Sequence, residues 1–323
     1  MNVAKALIPL AASLLLSGLL VGTAATAADA PKVVVSIKPI HSLVAAVMQG
    51  VGTPDLIVDS AASPHTYALK PSNARSLQQA QVVFWVGPGM EVFLQKPLDS
   101  LGSNATVVEL DQAPGITKLK FREGGAFEPH DDGDEPAAGE NHAHNHDDHG
   151  EFDTHLWLDP HNAKAMVAEI TTSLVAADPA NALTYEANQK ALNDKLDALD
   201  TEIASTVAPV KEKPFIVFHD AYQYFEHRYG VRVSGSITVS PETIPGAQRV
   251  AEIHSKVADL GATCVFAEPQ FEPKLVKVVL EGTSAKSGVL DPEAATLPQG
   301  PNLYFDLMRG IASSLKNCLS AQG

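Results

Sequence analysis

The chain has 323 residues, 45% of them hydrophobic, with 38 acidic against 23 basic side chains and a formal charge of −15. That length supports two domains of about 100–150 residues each, and the acidic balance makes nucleic acid and anionic lipid poor partners. Ten of the acidic residues fall between Glu128 and Asp153, so the remaining surface is only mildly acidic.

Residues 1–27 read as a cleaved export signal. Lys5 supplies a positive start, an apolar run follows from Ala6 to Val21, and Ala25-Thr26-Ala27 closes it with a small-residue cleavage pattern. At about 16 residues the run is short for a membrane span, and no other stretch is apolar enough to cross a bilayer. A mature chain starting near Ala28 or Asp29 is expected. With no cysteine near the end of the signal, a Gram-negative periplasm is expected rather than a lipid anchor.

An N-terminal α/β lobe is predicted over residues 28–178. Val33–Ile37 reads as a β-branched strand, and Pro39–Gln49 as a helix with proline near its start and Gly50 after it. Leu56–Val58 is a second strand, Ser72–Ala80 a short amphipathic helix, and Val82–Val86 a buried strand. Glu91–Leu101 returns as helix and Thr106–Leu110 as strand. Strands alternating with helices imply parallel βαβ units.

The stretch from Glu128 to Asp153 interrupts this rhythm. It holds five histidines (His130, His142, His144, His146 and His149) and ten acidic residues without a lysine or arginine. So polar a segment cannot form a packed core, and imidazole and carboxylate are common ligands of divalent transition metals. A solvated, disordered loop that captures metal weakly is expected; the plain alternative is an acidic solubility linker.

Asp159-Pro160 then caps a helix running to about Ala177. Asp178-Pro179 opens the longest one, residues 179–207, where Tyr185, Leu192, Leu196, Leu199 and Ile203 recur at helical spacing. It would join the first lobe to a second, residues 208–323, and limit hinge motion between them. In that lobe Pro214–Phe218, Val231–Ile237, Cys264–Ala267 and Gly288–Leu290 read as extended. Ala221–Tyr229, Pro245–Leu260, Pro273–Thr283 and Asn302–Leu319 read as helices. The fold class is α/β: two lobes, each a mainly parallel sheet flanked by helices, with a cleft between them.

Cys264 and Cys318 are the two cysteines. An even count in an exported chain suggests one disulfide, closing a loop of about 55 residues and contributing about 2–4 kcal/mol. Two buried free thiols are the alternative.

Seven of the twelve histidines lie outside the acidic stretch. His219 ends the apolar run FIVF, His65 sits in the turn-rich Ala62-Ser63-Pro64-His65, and His155 leaves the histidine-rich stretch with Trp157 beside it. All three fall at element edges where a cleft could form. His41, His227 and His254 are expected at the surface or in caps, and His161 in a structural role or one supporting the metal ligands.

Several segments together resemble the metal-binding proteins of cluster A-I (cluster 9) ABC transporters, over nearly the whole mature chain. They are VVVSIKP at 33–39, SPHTYALKPS at 63–72, the histidine-rich insertion, DTHLWLDP at 153–160, VFHDAYQYFEHRYG at 217–230 and CVFAEPQF at 264–271. The resemblance implies two α/β lobes on a rigid backbone helix, with His65, His155 and His219 as metal ligands. A third histidine at 219, where relatives carrying manganese or iron place a carboxylate, resembles the zinc branch. Three neutral imidazoles with an open fourth position suit tetrahedral Zn²⁺, whereas manganese prefers more oxygen. Asp291 matches a fourth ligand used by some members, so Asp291 or a water completes the shell.

The function implied is a monomeric, non-enzymatic periplasmic carrier that takes zinc in the cleft and hands it to an inner-membrane ABC permease. Rival readings are a manganese receptor, a zinc buffer using the histidine-rich stretch alone, and a zinc hydrolase. The last finds no H-E-x-x-H pattern or nucleophile elbow in the sequence.

Overall fold

Short runs of valine, isoleucine and phenylalanine without polar alternation become the inner strands of two parallel sheets, as the burial of both strand faces requires. The computed structural model describes residues 30–102, 104–122, 127, 152–238, 245–259, 264–271 and 274–320. The expected export signal and the histidine-rich stretch, His130 to His149 included, lie outside the described residues.

In the first lobe β1 (Val33–Val35), α1 (Lys38–Val47), β2 (Asp55–Leu56), α2 (Pro71–Gln79), β3 (Val82–Trp85), α3 (Gln95–Leu101) and β4 (Thr106–Glu109) build a sheet of order β2-β1-β3-β4. Helices α4 (Pro160–Ala177) and α5 (Ala182–Val207) follow. The second lobe runs β5 (Phe215–His219), α6 (Gln223–Tyr229), β6 (Val233–Thr238), α7 (Ala247–Asp259), β7 (Cys264–Ala267), α8 (Lys274–Leu280), β8 (Lys286–Val289) and α9 (Leu303–Ser320). Its sheet has the order β6-β5-β7-β8, so the crossover direction reverses between β5 and β7, where such sheets receive ligands.

The 26 residues of α5 extend about 39 Å. Tyr185, Leu192, Leu196, Leu199, Ile203 and Val207 form its buried stripe, and it packs on α1, α4, α6 and α9. One continuous apolar cluster therefore runs from β1 and β3 through α5 to Phe215, Phe266 and α9. A separate small cluster, including Ile216, Ile237, Ile253 and Val276, fills the space between the second sheet and α7 and α8. Cys264 on β7 and Cys318 on α9 form a disulfide with Cα atoms 6.2 Å apart, tying the last helix to a central strand.

Three expectations change. The helix foreseen over Glu91–Leu101 begins as a 3-10 turn, Val92–Leu94. Glu91 itself is withdrawn into the core, where its carboxylate accepts from Ser36 Oγ and from the backbone of Val86 and Gly87. Pro179–Asn181 is likewise a 3-10 turn ahead of α5. His41 is buried rather than at the surface, because nearly every residue of the first two turns of α1 is covered; its Nε2 bonds the Pro54 carbonyl at 3.0 Å.

Candidate metal centre

The three candidate histidines sit in or beside short turns or at a strand end. His65 occupies a one-turn 3-10 helix, Pro64–Thr66, whose start is capped by Ser63 Oγ accepting from His65 N at 3.3 Å. Tyr67 pins that turn by donating to the Ile57 carbonyl at 3.1 Å, just beyond β2. His155 immediately precedes the turn Leu156–Leu158, the step into α4. His219 is the last residue of β5, at the switch point of the second sheet.

Folding brings the three together. His155 Nε2 lies 3.4 Å from His65 Nε2 and 3.3 Å from His219 Nε2, and one ligand atom from each falls within 4.8 Å of the others. Tetrahedral zinc with Zn–N of about 2.0–2.1 Å places its nitrogen ligands about 3.3–3.4 Å apart. His155 and His219 are buried and His65 is half-buried.

The other ring nitrogens fix which atom faces the centre. His155 Nδ1 is 2.7 Å from Asp153 Oδ1, which also accepts from His155 N at 3.0 Å. His219 Nδ1 lies 2.8 and 2.7 Å from the two oxygens of Glu268. A carboxylate accepts only from a protonated nitrogen, so in both neutral rings the proton sits on Nδ1 and the Nε2 lone pair is presented inward. The order of these residues in sequence was informative only for His155. Asp153, the last acid of the acidic stretch, is fully buried rather than solvated, and its D-x-H spacing to His155 could have flagged it. Glu268, one residue past β7, becomes visible only once β7 is known to pair with β5.

Electrostatics separate the histidines. Burial, then the neighbouring rings of His155 and His219, holds His65 well below the ordinary imidazole value. Burial and His219 do the same to His155. Burial also opposes charge on His219, but the Glu268 carboxylate, with Asp220 and Asp153 behind it, outweighs that and raises His219 above 6.5. Burial pushes Asp153 up to about 6. At neutral pH the His65 and His155 rings are therefore neutral, the form that metal coordination requires.

Asp291 is not in this group among the described residues. Its carboxylate accepts from Ala295 N at 3.0 Å, Thr296 N at 3.3 Å and Gln270 Nε2 at 3.2 Å, closing the 291–296 turn. His227 is exposed and His254 bonds the Glu281 carbonyl at 2.7 Å, as expected of surface and capping residues. His161, expected in a structural role or one supporting the site, is exposed on the first turn of α4, where its backbone N–H donates to the Asp159 cap at 2.8 Å. Trp157, by contrast, packs its ring 5.4 Å from that of His155 and donates to the Pro292 carbonyl at 2.8 Å.

Known proteins agree with this architecture. A family profile described as "ZnuA: Zinc-uptake complex component A periplasmic" matches residues 33–318. A relative from Brucella suis biovar 1, named high-affinity zinc uptake system protein ZnuA, is 55% identical over 305 residues, covering 89% of this chain and 91% of its own. The Yersinia pestis protein of the same name is 36% identical, with 89% and 91% covered. A crystal structure of a ZnuA deletion mutant lacking 138–173, with zinc bound, superposes with a TM-score of 0.72 at 26% identity, covering 91% of this chain and all of that one (100%). The periplasmic zinc-binding protein TroA of Treponema pallidum shares the fold, with a TM-score of 0.75 at 20% identity and 90% and 99% covered. By sequence and by fold, this chain belongs to the ZnuA family of periplasmic zinc-uptake components.

Proposed function

We propose that the chain captures Zn²⁺ with His65, His155 and His219 and carries it across the periplasm to an inner-membrane ABC permease. The observation that carries this reading is the set of three Nε2 atoms in which that of His155 lies 3.4 Å from that of His65 and 3.3 Å from that of His219. In the neutral Nδ1–H tautomers of His155 and His219 the two Nε2 lone pairs face one another, an arrangement that suits a shared cation. An all-imidazole set favours zinc over manganese, which seeks oxygen. The hydrogen bonds already accepted by Asp291 support a water as the fourth ligand.

In this reading the protein is a monomeric carrier, exported by a signal at residues 1–27, and it binds and releases without catalysis. His130, His142, His144, His146 and His149 form a weaker collecting segment, because ordering a solvated stretch around an ion costs conformational entropy that a preformed cleft does not. Zinc titration by calorimetry tests the division. The mature protein and a form lacking 128–151 should share one tight site, and His65→Ala/His219→Ala should abolish it. Tight binding that follows the deleted stretch would overturn the cleft assignment. N-terminal sequencing of the exported protein should begin at Ala28 or Asp29.

A further inference from the structure

We propose that Arg122 is a positioning residue of the zinc site, bracing the segment that leads to His155 against the segment that carries His219; this rests on the three-histidine reading above. The chain on either side of the histidine-rich stretch forms a paired stem. Lys120 and Phe152 make an antiparallel bridge, and Asp153 N donates to the Leu119 carbonyl at 2.9 Å. From this stem Arg122 reaches into the second lobe. Its Nε donates to Asp220 Oδ2 at 3.0 Å, its Nη2 grips Asp220 Oδ1, and its Nη1 donates to Glu226 Oε2 at 3.0 Å. Asp220 directly follows His219, and Glu226 lies on α6, the next element.

A second clamp runs the other way. Tyr224 on α6 donates its hydroxyl proton to the Asp153 carbonyl at 2.6 Å and accepts from Leu119 N at 3.0 Å. The guanidinium fork and the tyrosine thus hold the residues flanking His155 and His219 in one framework. Asp220 is 5% exposed and the side chain of Glu226 13%, so the fork sits among carboxylates largely shielded from water. A planar fork fixes two partners at once, which a lysine ammonium does not. The brace matters because ligands already in register need not be ordered when the ion arrives, and they resist separating when it leaves.

The test measures zinc release from the full mature chain by stopped flow into excess chelator, beside zinc association. In Arg122→Gln we expect release to quicken about 10–100-fold, the usual effect of losing a group that orients a metal ligand, with association within about threefold of the parent. Arg122→Lys should fall between. Arg122→Gln/Asp220→Asn removes the charge that the single variant strands, and it too should release quickly. Release at the parental rate in Arg122→Gln would overturn the proposal. So would a parental rate in the double variant, which would assign the whole effect to the stranded Asp220 carboxylate. Should the single variant fail to fold, the double variant decides alone. His219→Ala is run in parallel: parental affinity there sinks the metal-site reading itself, whereas loss there with unchanged Arg122→Gln sinks only the brace.

Discussion

Lowering the pH should weaken zinc binding less steeply than three ordinary imidazoles would allow. Zinc takes the deprotonated ring, so a proton competes only where the metal-free site holds one. His65 and His155 are held well below 6.5, and His219 is raised above it. Affinity is therefore full above the pKa of His219 and falls as pH drops through it, by at most tenfold per unit for that one proton. Asp153, with a pKa of about 6, binds a second proton at lower pH, and zinc on His155 would expel it. Between about pH 7.5 and about pH 5.5 the single imidazole accounts for at most about a hundredfold and Asp153 for about fourfold more. Three unperturbed imidazoles near 6.5 would together cost about a thousandfold. Calorimetry in buffers of differing ionisation enthalpy counts the protons directly. At about pH 5.5 the expected release is fewer than about two per zinc; a value close to three would refute the assignment of neutral His65 and His155.

Glu268→Gln leaves His219 without its anionic acceptor, so zinc affinity should fall about 10–100-fold and the onset of proton competition should move to lower pH; an unchanged dissociation constant in competition assays would count against the role given to Glu268. Asp291→Asn should lower stability by about 1–3 kcal/mol through the lost turn hydrogen bonds and shift zinc affinity by less than about threefold. A tenfold loss of affinity without loss of stability would instead make Asp291 a ligand. Replacing Cys264 and Cys318 by serine should cost about 2–4 kcal/mol in urea unfolding, with zinc stoichiometry unchanged in the folded protein; a lost site would show that the disulfide holds β7, and with it Glu268, in place.

Much of this was legible before any coordinates, for reasons visible in particular residues. Undiluted valine and phenylalanine runs mark buried parallel strands, and Asp159-Pro160 marks a helix start as plainly as any local signal can. The three histidines stood out beside a proline, a buried aromatic or a strand end, but their reading as metal ligands came from the resemblance to a known family. What escaped depends on neighbours distant in sequence. His41 lies in the first turn of α1, a place that suits a cap, and only tertiary packing, with its Nε2 on the Pro54 carbonyl, buries it. Asp153 was one of ten acids in its stretch, set apart only by standing two residues before His155. Arg122 and Asp220 are ordinary charges until the chain folds them onto one another across 98 positions.

The apolar core that passes without a break from one lobe into the other has a consequence for how cargo leaves. Swinging the lobes apart would expose that core to water, which sets a cost against any wide, jaw-like motion. His155 and His219 are buried and strapped through carboxylates, while His65 rides a single 3-10 turn at the rim and stays half-exposed. If the three histidines hold zinc as proposed, detachment has an order, with His65 letting go first. A permease that nudges the turn at 63–67 could shorten the residence time of the ion without disturbing the rest of the molecule.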